Sequence, residues 1–132
     1  MRTKSLLIAL LLIVLSTSLT TAAPPPPLVE YSKGAFTAAQ TDNRPIVVFV
    51  HASWCITCRR QQPIVQELAS DAGFKSKNLV VFVVDFADKA TLKELNVTDR
   101  STLVAFHGKA ERSRSSFVTD PAELRGLFSS AL

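Results

Sequence analysis

The stretch Ile46-Val47-Val48-Phe49-Val50-His51-Ala52-Ser53-Trp54-Cys55-Ile56-Thr57-Cys58-Arg59-Arg60-Gln61-Gln62-Pro63 holds both cysteines of this 132-residue chain. Its first five residues are apolar and rich in β-branched side chains, the pattern of a buried strand. A helical pattern follows, in which Cys58, Val65, Leu68, Ala69 and Ala72 recur at helical spacing. The reading is a strand, a tight turn and a helix running from Cys55 to about Ala72. Gly73 is expected as its C-cap, and Pro63, which has no N–H, should bend it. Two cysteines three positions apart at a helix start face the same side and can close a small ring.

That position also dictates reactivity. The first turn of a helix has unpaired N–H groups and the positive end of the dipole, which together favour an anion. Cys55 should therefore have a depressed pKa and act as the exposed nucleophile. Cys58, one turn further in, should be more covered and act as the resolving thiol. Arg59 and Arg60 add positive charge nearby. The expected chemistry is thiol–disulfide exchange through a mixed disulfide on Cys55.

Trp54-Cys55-Ile56-Thr57-Cys58, with Pro63 five residues on, resembles the W-C-x-x-C site of the thioredoxin family. The resemblance covers about residues 28–132. It implies an α/β thioredoxin-like fold, a central mixed sheet with helices on both faces, and a thiol–disulfide oxidoreductase. It also implies that Trp54 and the segment Arg100-Ser101-Thr102 shape a surface for substrate. Two positions depart from the family pattern. Phe49 stands where the family has a buried Asp, the usual proton acceptor. Ser101 stands where it has a cis-proline. Serine there restores an N–H and adds a hydroxyl beside the sulfurs. Ser101→Pro is accordingly expected to make the protein more reducing and to weaken metal binding by the reduced form.

The rest of the chain frames this unit. Met1 to Ala23 has Arg2 and Lys4 ahead of an apolar run from Leu6 to Leu15, then small residues. This is the pattern of a signal peptide, and the run is shorter than the roughly 20 apolar residues of a comfortable span. The alternative is an uncleaved N-terminal anchor. The compartment expected is periplasmic or secreted, and the compact domain with no further cysteines favours a bacterial source. Pro24 to Pro27 reads as a stiff linker. Asn96-Val97-Thr98 is a formal glycosylation acceptor, relevant only on a eukaryotic secretory route.

Further elements follow by pattern. Residues 28–31 suit a short edge strand, and 34–41 a helix with Phe36 and Ala39 inward. Residues 79–86 suit a doubly buried strand, and Asp88 should cap a helix that exits at Asn96. A strand over 103–106 leads through His107-Gly108-Lys109 to a polar edge strand over 111–118. Asp120-Pro121-Ala122-Glu123 opens a last helix with Leu124, Leu127, Phe128 and Ala131 inward.

Other function classes are weaker. Outside the leader, 13 Lys and Arg face 11 Asp and Glu with no basic stripe, so nucleic acid is not expected. A purely structural disulfide across two residues would constrain little chain. His51, Cys55, Cys58 and His107 have the composition of a zinc or copper site, but their spacing fits no finger. The rival reading is thus a metal-binding or metal-chaperone module on the same cysteines, while both histidines read as ordinary polar residues. With no glycine-rich phosphate loop, no organic cofactor is expected. The expected partners are cysteine-containing exported proteins and a redox partner protein, met by a monomer.

Overall fold

The computed structural model describes residues 27–132. The expected signal peptide (1–23) and all of the expected linker but Pro27 lie outside the described residues. Among the described residues five strands and five helices follow in the order β1 (Val29–Glu30), α1 (Lys33–Thr41), β2 (Pro45–His51), α2 (Ile56–Ser70), α3 (Ala72–Ser76), β3 (Val80–Asp85), α4 (Lys89–Glu94), β4 (Thr102–His107), β5 (Ala110–Ser116) and α5 (Pro121–Ser130). Their sheet has the order β1-β3-β2-β4-β5. β1 and β2 both run parallel to β3, β4 runs antiparallel to β2, and β5 antiparallel to β4.

β2 is central because its side chains have nowhere to meet water. Residues 45–50 are all buried, which suits a strand covered on both faces. Its alternation feeds two cores. Val47 and Phe49 pack with Val65, Leu68, Phe74, Leu124 and Phe128, under α2, α3 and α5. Ile46, Val48 and Val50 pack with Phe36, Ala39 and Leu92, under α1 and α4. Helices therefore cover both faces of a mixed sheet. The polar β5 forms one edge, as its composition requires.

The helix caps follow the expected chemistry. Asp88 accepts from Thr91 N and opens α4, and Asn96 leaves it with φ 51. Asp120 accepts from Glu123 N and Pro121 is the first residue of α5. One boundary differs from the sequence pattern. α2 stops at Ser70, Ala72 is exposed, and Gly73 caps nothing. Asp71 turns extended, and its carboxylate accepts the Gly73 N–H at 2.8 Å, starting α3. A side-chain acceptor that competes for backbone donors restarts the helix before the glycine can end it. β5 also ends at Ser116, two residues short of the expected limit, because Phe117 adopts φ 64.

Candidate active site

β2 delivers the chain to Ala52, and Cys55 becomes the N-cap of α2 in extended conformation. Its sulfur accepts the Cys58 N–H at 3.1 Å. This is the place a serine or aspartate oxygen takes at a helix start. Cys58 lies one turn in, with Cα atoms 5.2 Å apart, and the two form a disulfide. Both are covered: Cys55 is 2% and Cys58 0% exposed. The expected contrast between an exposed and a buried cysteine is therefore absent in the oxidised form. What separates them is bonding, since Cys55 receives the helix-start N–H while Cys58 Sγ lies 4.0 Å from the Val50 carbonyl oxygen.

Ser101 closes the opposite side. It is buried, and its Oγ sits 3.1 Å from each sulfur. No peptide among the described residues is cis, and Ser101 has φ 60. Its N–H donates to Val50 O at 3.1 Å, and its carbonyl accepts from Phe117 N at 3.0 Å. These bonds change what Ser101→Pro would do. Proline cannot adopt a positive φ and has no N–H to give Val50, so that substitution breaks the backbone before it tests the hydroxyl.

The flanking residues divide into surface and scaffold. Trp54 is 63% exposed, and the Arg100 guanidinium lies 5.2 Å from its ring centroid and 5.7 Å from that of Phe117. Trp54 also meets Phe86 edge-on, and Lys89 Nζ caps that ring at 3.5 Å. Thr102 faces inward instead. Its hydroxyl donates to Asp99 O at 2.8 Å and so accepts from Ser116 Oγ at 2.7 Å. It braces the loop and presents no free hydroxyl to a partner.

The histidines do not assemble with the sulfurs. β2 pairs Pro45 with His107, so His107 lies at the far end of a seven-residue strand from Cys55. Its Nδ1 donates to Ala131 O at 2.8 Å, and its Nε2 accepts from Asn43 at 3.1 Å. His51 is half-buried, edge-on to Phe49, with a buried Nε2 lacking a partner among the described residues. Phe49 fills the family's acidic position with a ring in the same buried cluster that holds both cysteines. Among the described residues no three His, Cys, Asp or Glu side chains form a group that could hold a metal ion.

Two residues escaped the sequence reading. Gln61 is fully buried and bonds to the carbonyls of Ser101 and Val118. Its signal was a polar residue on the helix face that also carries Cys58 and Val65. Phe117 gave no local signal.

A cysteine pair at a helix N-terminus, at the end of a central strand, defines a dithiol–disulfide oxidoreductase. The thioredoxin family model matches residues 27–127, and the chain belongs to the thioredoxin family. Its structure is similar to that of Trxlp from Edwardsiella tarda EIB202, with 34% identity, TM-score 0.72, and 76% of this chain and 97% of that chain covered. Thioredoxin O2 from Arabidopsis thaliana in its oxidized state shares the fold at 24% identity and TM-score 0.63, covering 82% of this chain and 96% of that one. A mutant thioredoxin from Halobacterium salinarum NRC-1 does so at 20% identity and TM-score 0.68, covering 83% and 96%. No curated protein matches the sequence.

Proposed function

We propose that this thioredoxin-family oxidoreductase is exported and exchanges disulfides with cysteines of other exported proteins. Cys55 is the nucleophile and Cys58 the resolving thiol. The observation that carries the roles is the Cys58 N–H donated to Cys55 Sγ at the start of α2. A donor already aimed at that sulfur favours its thiolate when the pair is reduced.

The Cys55 thiolate attacks one sulfur of a partner disulfide, and the other partner sulfur leaves as a thiolate. Cys58, deprotonated, then attacks Cys55 Sγ and expels the second partner sulfur. Two electrons pass to the partner, and the Cys55–Cys58 disulfide is restored. A redox partner protein resets the pair by the reverse steps. Trp54 and Arg100 supply an exposed aromatic and a cation beside the disulfide for docking, while the Ser101 hydroxyl faces the sulfurs. Export is supported by the charged, apolar and small-residue succession over Met1 to Ala23.

The test joins the two parts. The purified domain should equilibrate with glutathione buffers and reduce insulin. Cys58→Ser, expressed with its own leader, should accumulate mixed disulfides with exported proteins. N-terminal sequencing should start near Ala23; Met1 on membrane-bound material would overturn cleavage. A chain that reaches neither equilibrium nor insulin turnover would sink the catalytic reading.

A further inference from the structure

Gln61 sits three residues after Cys58 on α2, with its side chain wholly buried. Its Nε2 lies 3.1 Å from Ser101 O and 2.8 Å from Val118 O. Both neighbours are acceptors, so the amide must face them with its nitrogen and use both hydrogens. The reversed amide would press an oxygen against two carbonyl oxygens. Oε1, in turn, has no partner among the described residues. A leucine or methionine would fill this helix position without burying an unpaired acceptor. The glutamine therefore needs a reason beyond packing.

That reason lies in the loop it holds. Ser101 has φ 60 and Phe117 has φ 64, a region that non-glycine residues enter only when their surroundings over-determine them. The Ser101 carbonyl accepts from Phe117 N and from Gln61, while its N–H donates to Val50. Among the described residues, Gln61 is the one side chain of α2 besides Cys58 that bonds to Ser101. It ties the loop to the helix that carries the sulfurs.

We propose that Gln61 is a positioning residue for disulfide exchange: it holds the Ser101 peptide so that the hydroxyl is aimed at both cysteine sulfurs. The proposal rests on the oxidoreductase reading and adds a determinant of its redox equilibrium. A disulfide sulfur is a weak acceptor. Reduction breaks the S–S bond, adds two electrons and, with uptake of one proton, leaves a thiol and a thiolate. The thiolate is a strong acceptor, so a hydroxyl fixed at this distance favours the reduced form. Loosening Ser101 shifts the equilibrium toward the disulfide.

The experiment equilibrates wild type, Ser101→Ala, Gln61→Met and the double variant with reduced and oxidised glutathione. The thiolate absorbance of each reduced protein is titrated in parallel. Ser101→Ala should lower the reduced-to-oxidised constant about tenfold, the scale of one hydrogen bond to a charged group. Gln61→Met should lower it several-fold and raise the thiolate pKa, and the double variant should match Ser101→Ala. Gln61→Asn, too short to reach both carbonyls, repeats the test with a smaller change in the core. In the wild type, the Gln61 side-chain amide protons should be protected from solvent exchange in both redox states. Wild-type values in the folded Gln61 variants, effects that multiply in the double variant, or rapid exchange of those protons would each overturn the proposal. A wild type that fails to equilibrate with glutathione would instead remove the oxidoreductase reading beneath it.

Discussion

The two walls of the active site are built by different physics. On one side, α2 begins at Cys55, and its sulfur accepts a backbone N–H that any helix start leaves unpaired. That geometry costs nothing special. On the other side, Ser101 and Phe117 both lie in the left-handed region and are bonded to each other, at roughly 1–2 kcal/mol for each residue. Val50 and Gln61 hold that wall from the sheet and the helix. A helix start supplies reactivity wherever a cysteine is placed on it. The strained wall decides how the reactivity is poised, and it exists only while four separate segments meet.

Substitutions should therefore fail in different ways on the two sides. The largest effect belongs to the helix side. Cys55→Ser should abolish insulin reduction, and Cys58→Ser should stop turnover while trapping partners on Cys55. The roles are inverted if trapped adducts form only with Cys55→Ser. Neither change should destroy the fold, which a near-unchanged thermal melt of the reduced proteins would show.

On the strained side the fold itself should give way. Ser101→Pro should cost about 3 kcal/mol, from the lost bond to Val50 and a forced backbone shift. Denaturant unfolding measures this, and a stable Ser101→Pro protein would mean that the loop can leave φ 60 freely.

A third site serves as a control away from both walls. Asp71 caps α3 through Gly73 N and pairs with Arg125 at 3.1 Å, and these contacts hold its carboxyl below the usual range. A depressed folded pKa stabilises the folded state above the ordinary carboxylate range and loses that contribution as pH falls through the folded value. Asp71→Asn should thus be less stable than wild type at neutral pH, and the gap should close below about pH 4. Melts across pH read this. The glutathione equilibrium should stay at wild type, since Asp71 touches neither sulfur nor Ser101.

The smallest effect is expected at Phe117, which is 45% exposed. Phe117→Gly relieves the positive φ but loosens the unfolded chain, so stability should move by less than about 1 kcal/mol. It also removes one of the two rings beside Arg100. KM for a protein disulfide should rise with kcat held. A large stability loss would make Phe117 part of the folding core instead of the docking surface.

The helix wall was legible because its cues are local. Asp88 and Asp120 mark helix starts by bonds to the N–H three residues on, and Pro121 by its fixed φ at the first helical position. The run from Ile46 to Val50 marks a buried strand by its own composition. The end of α2 falls before Gly73 because the Asp71 carboxylate takes the Gly73 N–H with one oxygen, while its other oxygen accepts from Arg125 of α5. The family resemblance puts Thr102 on the docking surface, whereas the structure makes it a brace, since its partner Ser116 comes from the neighbouring strand. His107, an ordinary polar residue by its sequence context, lies at the far end of β2 from Cys55.

The chain alone determined the elements that periodicity, capping and charge specify: a strand leading into a helix, with a cysteine at the helix start and another one turn on. It also carried the motif by which the family resemblance was drawn. Tertiary structure decided what faces those cysteines. Ser101 is 43 residues from Cys58 and reaches it across the sheet. Gln61 finds its acceptors 40 and 57 residues away. Local rules record the interactions of near neighbours along the chain. A left-handed serine against two sulfurs is stable only through bonds from residues that the folded sheet brings together.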